Sequence, residues 1–247
     1  MIDIIKSCLA NEKPVPEALH IRFRQILLQY VVVGGMPEAV QVFVDTSHVG
    51  KVLQVQRDII RSYEDDMIKY ASKSDKSKII ECFQSIPKQL GKENKKFQYS
   101  VVRKGFTSSK CAGSIQWIED SFKVYMKDTG LFISMLEDGT QFDVLQGNFY
   151  GYKGAIFENL IADFFSKMGR KLYYFHKDSG LEVDFVIRYK GQCTLVEVKA
   201  ADGNTKSVKT ILKHPEKYHV NKAIKLCDNN VRRDNDILTL PLYMGFL

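Results

Sequence analysis

Asp184 in the stretch LEVDFVIRY, and Glu197 and Lys199 in CTLVEVKA, are the residues whose types and spacing could do chemistry. Two carboxylates held side by side repel, and such a pair survives because a cation bridges it or because one member keeps its proton. With a lysine two residues beyond Glu197, the trio can hold a hard divalent ion on oxygen while the ammonium positions a water or a phosphate oxygen. In outline this is phosphodiester-cleaving chemistry. The same residues can also form a solvated, mixed-charge strand face in which Lys199 pairs with Glu182. Spacing leaves both readings open.

The elements that must position these side chains are two strands of period two. Val183, Phe185 and Ile187 alternate with Glu182, Asp184 and Val186, and Thr194, Val196 and Val198 alternate with Leu195, Glu197 and Lys199. Lys190-Gly191 is a two-residue turn between them, with glycine free to take the positive φ of a tight hairpin. That turn predicts a register in which Val183 faces Val198, Phe185 faces Val196 and Ile187 faces Thr194. Asp184 then lies opposite Glu197 and Glu182 opposite Lys199, with Cβ atoms about 4.5–5.5 Å apart. Upstream, Ile156, Phe157, Leu160, Ile161, Phe164, Phe165 and Met168 form a helical stripe that stops at Gly169-Arg170-Lys171. Glu158 sits at the margin of the stripe, where it can bend toward a sheet or reach water.

Glu158 on a helix, Asp184 on a strand and Glu197-x-Lys199 on the next strand resemble the core of the PD-(D/E)xK nuclease superfamily. The phrases GYKGAIFENLIADFF, LEVDFVI, LVEVKA and LPLYM also resemble the C-terminal domain of unknown function that follows the ATPase in a class of prokaryotic AAA-type ATPases. VVVGGMPEAV, SIPKQLGKENKKFQYS and FKVYMKDTGLF resemble that group as well. The resemblance implies Asp184 and Glu197 as ligands of Mg²⁺ or Mn²⁺, Glu158 as an auxiliary catalytic carboxylate and Lys199 as the residue that orients or activates water. It also implies DNA as substrate. The rival expectation is a non-catalytic module that binds DNA or a protein partner, or that self-associates.

The chain has 247 residues, 45% of them apolar, enough to bury one or two cores. No run approaches the roughly 20 apolar residues that span a bilayer, and MIDIIKSCLANEK has no secretory pattern, so a cytoplasmic protein without a membrane role is expected. The five cysteines are odd in number, scattered and without metal-ligand spacing, which predicts reduced thiols. The net charge of +7 is concentrated in the C-terminal part, and a basic surface beside a phosphate-handling site suits nucleic acid.

Earlier in the chain, residues 17–31, 49–70 and 76–89 carry helical stripes, the first stopped by Gly34-Gly35 and Pro37. GGMP lacks the lysine and spacing of a P-loop, so a structural turn is the favoured reading, and with no G-x-x-x-x-G-K-[ST] anywhere no nucleotide cofactor is expected. Lys95, Lys96, Arg103 and Lys104 interleave with Phe97, Tyr99 and Phe106. Such a segment can track a nucleic-acid backbone, or it can be core aromatics with solvated lysines. By the resemblance it belongs to a winged helix whose last helix is SKCAGSIQWIED, with the wing shortened at Asp120-Ser121.

The expected class is therefore α+β. A helical, winged-helix-like part over residues 1–148 precedes a restriction-endonuclease-like α/β domain with a mixed sheet over 149–247. In that domain 172–176, 222–227 and ILTLPLYM read as strands, 205–213 as a short helix, and Pro241 as an edge-strand residue.

Overall fold

A computed structural model describes residues 1–71, 75–91, 97–107, 125–149, 151–177, 180–200 and 203–247. The expected helix over 109–120, Lys95, Lys96 and the shortened junction at Asp120-Ser121 lie outside the described residues. The chain divides into two compact units, one formed by Leu28–Ala155 and the other by Met1–Leu27 together with Ile156–Leu247. No helix among the described residues is long and apolar enough to cross a membrane. The class is α+β, with helices first and a mixed sheet toward the C-terminus.

Among the described residues the α-helices are, in order, α1 (Ile2–Ala10), α2 (Glu17–Val33), α3 (Pro37–Thr46), α4 (Val49–Tyr70), α5 (Lys76–Leu90), α6 (Tyr99–Val102), α7 (Thr129–Ser134), α8 (Thr140–Leu145), α9 (Lys153–Lys167), α10 (Lys206–Leu212) and α11 (Pro215–Tyr218). Helix α4 spans the residues its apolar stripe predicts. Helix α2 runs two residues past the expected stop because its last carbonyls find a donor: Gln56, 1% exposed, gives its side-chain amide to the carbonyls of Val32 and Val33 at 2.8 and 3.0 Å. Gly34 then takes φ +73°, a conformation glycine adopts without a Cβ penalty.

The Gly34-Gly35 stretch is a structural turn. The Gly35 N–H donates to Asp128 Oδ2 at 2.6 Å, while Asp128 Oδ1 accepts the Leu131 N–H at 2.9 Å and so caps α7. Gly130 packs so tightly here that a Cβ would stand 2.6 Å from the Val33 carbonyl oxygen and overlap the Gln56 amide. The phrases VVVGGMP and KDTGL thus meet in space, a pairing that no local pattern signals.

The sheet of the other unit has the order β1-β2-β3-β4-β6-β5, from β1 (Tyr173–His176), β2 (Glu182–Tyr189), β3 (Gln192–Val198), β4 (Ala223–Cys227), β5 (Arg232–Asp234) and β6 (Ile237–Pro241). Strands β3, β4 and β6 run parallel, and β1–β2, β2–β3 and β5–β6 are antiparallel. On one face Phe165 of α9 meets Phe185 edge-on at 5.5 Å. On the other, Val208 and Ile211 of α10 pack with Val183, Leu195, Ala223 and Ile237.

Two expectations change, and one strand is added to those expected. Strand β6 is interior, and Pro241 is tolerated at its end because β5 pairs only with Ile237–Thr239. Strand β5, three exposed residues Arg-Arg-Asp, carries no apolar alternation to find. The first 27 residues belong with the sheet unit, where Asn230 binds both the N–H and the carbonyl of Val15 at 2.8 and 2.7 Å and His20 Nδ1 meets the Tyr243 hydroxyl at 2.8 Å. The division at 148/149 does not anticipate this return.

Candidate functional site

The hairpin turn is as expected. Lys190 and Gly191 sit at φ +48° and +79°, the two positive values of a primed turn, and they fix the pairs Phe185↔Val196, Val186↔Leu195 and Ile187↔Thr194. Beyond Phe185 the predicted register fails. Between the pairs Tyr173↔Val186 and Phe175↔Val183, β1 advances two residues while β2 advances three, so β2 bulges at Asp184-Phe185. The extra residue turns Val183 to the face of Leu195 and Val186, where it packs with α10, instead of the face of Phe185.

The bulge is also what delivers Asp184. Along β3 and just past its end, the Leu195 and Lys199 N–H groups point to the β4 side, at 3.3 Å to Lys222 O and 2.8 Å to Leu226 O. By alternation the Val198 N–H points to β2, where an unbroken ladder would supply a carbonyl. The Asp184 carboxylate takes that place, with Oδ2 accepting from Val198 N at 2.8 Å.

Glu197 lies mid-sheet between β2 and β4 and is 6% exposed; Glu158 on α9 is likewise 6% exposed, so it bends inward and does not reach water. Lys199 follows the end of β3, with its ammonium 2.5 Å from Glu197 Oε1. Glu182 is the ladder partner of His176 on the β1 side of the strand. A fully solvated face is not what forms: of its carboxylates Glu197 is buried, and Asp184 and Glu182 are half-buried.

Burial, and then the negative charges of Glu158 and Glu197, push the Asp184 carboxyl up to about 7 against the opposing pull of the Val198 N–H and Lys199. For Lys199 burial alone would favour the neutral amine, but Glu197, Asp184 and Glu158 outweigh it and the ammonium is held above its ordinary value. The three carboxylates and the lysine are thus one electrostatic cluster drawn from α9, β2 and β3.

The basic segment is only partly in view. The Arg103 guanidinium reaches Glu81 at 3.3 Å and stands 4.6 Å from the Phe106 ring, while Lys104 is exposed. Phe106 is buried against Cys82 of α5 with Phe97 and Tyr99 around it, so these aromatics are core. Sequence reasoning missed Gly203, where a Cβ would stand 3.2 Å from Lys199 Cδ; its lack of a side chain lets the lysine stem pass.

Among the described residues no group of three or more His, Cys, Asp or Glu side chains is gathered so as to hold a metal ion. The donor chemistry nevertheless fits Mg²⁺, which takes hard oxygens and is characteristically held by one or two carboxylates plus water and substrate oxygens. Asp184 and Glu197 are the pair that would supply them.

Residues 153–243, the span that holds the whole cluster, match the family model of a domain of unknown function (DUF4143), a domain often found at the C-terminus of AAA ATPases. Residues 24–122 match the model of a second domain of unknown function (DUF8612). No curated protein and no solved structure matches the chain.

Proposed function

We propose that the sheet unit is a PD-(D/E)xK-type, nuclease-like module of an ATPase-associated protein, acting on DNA phosphodiesters with Mg²⁺ or Mn²⁺, and that the helical part resembles a shortened winged helix. The observation that carries this reading is the carboxylate cluster around Lys199, in which Glu158 and Glu197 are buried and Asp184 is half-buried. Like charges are costly to bury, and an Asp that holds a proton near neutrality is the condition a divalent ion would relieve. Asp184 and Glu197 are the proposed metal ligands, and the bound ion would supply Lewis-acid activation of a phosphoryl oxygen and of water. Glu158 contributes further negative charge from α9. Lys199 stays an ammonium through neutral pH, so its role is to orient water and stabilise negative charge developing on the phosphate, not to accept a proton. Arg103 and Lys104, with Lys95 and Lys96, are proposed to contact the DNA backbone.

A second reading, a non-catalytic module that binds DNA or a protein partner, is favoured by two observations. Lys199 already neutralises Glu197, and the described residues offer no ready-made cage for a metal. One experiment separates the two: purified protein incubated with plasmid and oligonucleotides in Mg²⁺ or Mn²⁺. Cleavage that is lost in Lys199→Ala and Asp184→Asn, both folded, supports catalysis. Intact substrate under every metal condition leaves the binding module.

A further inference from the structure

The row of residues that crosses the sheet from Glu197 is polar throughout. In the ladder Glu197 of β3 neighbours Lys225 of β4, Lys225 neighbours Thr239 of β6, and Thr239 neighbours Arg232 of β5. Lys225 and Thr239 are buried, at 6% and 1% exposure, in strand positions that apolar side chains usually fill.

Three residues of this row, Lys225, Thr239 and Arg232, line a groove of about 650 Å³. Lys209 and Lys213, four residues apart along α10 and its C-terminal cap, join Lys225 and Arg232 around it. The carboxylates among the described lining residues are Asp234 and Asp236, and Asp234 already shares Arg232, with Nε and Oδ2 3.4 Å apart. Thr205 and Thr239 add hydroxyls. The lining is thus rich in cations and hydrogen-bond donors, with its positive charge distributed along the groove and not gathered at one point. Such a distribution matches a ligand bearing phosphate better than one bearing a single carboxylate.

The groove also lies beside the carboxylate cluster. Gly203 lines it and touches the stem of Lys199, and Glu197 is the ladder neighbour of Lys225.

We infer that the groove over Lys225, Thr239 and Arg232, flanked by Lys209 and Lys213, binds the phosphate groups of a nucleic-acid strand or of a smaller phosphate ester, and holds them next to Lys199. The adjacency gains its meaning from the proposed nuclease-like reading, whereas binding in the groove does not depend on catalysis.

The test is equilibrium binding in EDTA, where metal-dependent cleavage is off. Fluorescence anisotropy follows a short labelled single-stranded oligonucleotide, and calorimetry follows inorganic phosphate and pyrophosphate at matched ionic strength. Saturable binding is expected to weaken at least tenfold in the double variant Lys209→Ser/Lys213→Ser, whose exposed positions spare the fold, and in Lys225→Met where that variant melts as the wild type does. An oligonucleotide that outcompetes pyrophosphate identifies the ligand as a strand; tighter binding of pyrophosphate identifies a small phosphate ester. The inference is overturned if neither the oligonucleotide, phosphate nor pyrophosphate saturates the protein, or if the double variant binds as the wild type does. Binding retained by wild type without any cleavage in Mg²⁺ would sink the catalytic reading alone.

Discussion

Asp128 and Asp184 are both drawn toward the interior, one in each unit, and the two are treated in opposite ways. Asp128 receives two backbone N–H groups, from Gly35 and Leu131, and beside it Gln56 closes the last carbonyls of α2. Asp184 receives one N–H, from Val198, and shares its surroundings with Glu158 and Glu197. A carboxylate matched to fixed donors holds a turn and a helix end in place, and its removal leaves those donors unpaired. A carboxylate set among like charges stabilises little in its ionised form and leaves charge available for a ligand. Burial of a polar group is therefore no guide to its role until its partners are counted.

The sharpest way to break the first side of this comparison is Gly130→Ala. A methyl group placed against the Val33 carbonyl and the Gln56 amide must displace backbone, and the expected loss is about 3–5 kcal/mol in urea unfolding. Asp128→Ala is expected to lose about 3 kcal/mol, from an N-cap and a buried Gly35 donor together. A loss below about 1 kcal/mol in either variant would mean that this constellation does not hold the helical unit together.

The next effect is the pH dependence that Asp184 contributes. Its folded-state pKa of about 7 lies above the ordinary value of 3.8, so the folded protein binds this proton more tightly than the unfolded chain does. The associated stabilisation is fully present below about pH 4 and is lost as pH rises through about 7, on the order of 4 kcal/mol across that window. Asp184→Asn is expected to remove this slope, seen as the difference between the two proteins, while costing little stability near neutral pH. If the variant instead loses several kcal/mol at every pH, Asp184 is structural like Asp128, and the metal-site assignment falls with it.

Metal should act on one side of the comparison only. Mg²⁺ or Mn²⁺ at about 100 times its dissociation constant would stabilise a site that binds it by about 2.7 kcal/mol, raising the melting temperature of the wild type and not of Asp184→Asn or Glu197→Gln. A rise of equal size in all three proteins would place the ion elsewhere.

The smallest expected effect comes from Lys199→Met. Lys199 is the weakest of the influences acting on Asp184, so removing its charge should move the Asp184 titration upward by about one pH unit or less. Carboxyl chemical shifts followed through a pH titration measure it. A midpoint that falls would show that the lysine does not face the cluster.

The sequence by itself determined what depends on near neighbours along the chain. The stripe of Val52, Leu53 and Val55 onward predicts α4 over Val49–Tyr70, and Lys190-Gly191 predicts the hairpin pairs from Phe185 to Tyr189, because helix period, strand period and turn conformation are set within a few residues. The types of Glu158, Asp184, Glu197 and Lys199 were legible for the same reason. Tertiary structure alone decided how these residues are used. The bulge that aims Asp184 at Val198 arises from the pairing of β2 with two different strands, and the burial of Glu158 and Glu197 depends on what covers α9 and the middle of the sheet. The bond from Gly35 to Asp128 closes 93 residues, and that from Val15 to Asn230 closes 215. Contacts over such separations follow no period in the sequence, since they depend on which surfaces meet when the whole chain buries its apolar area.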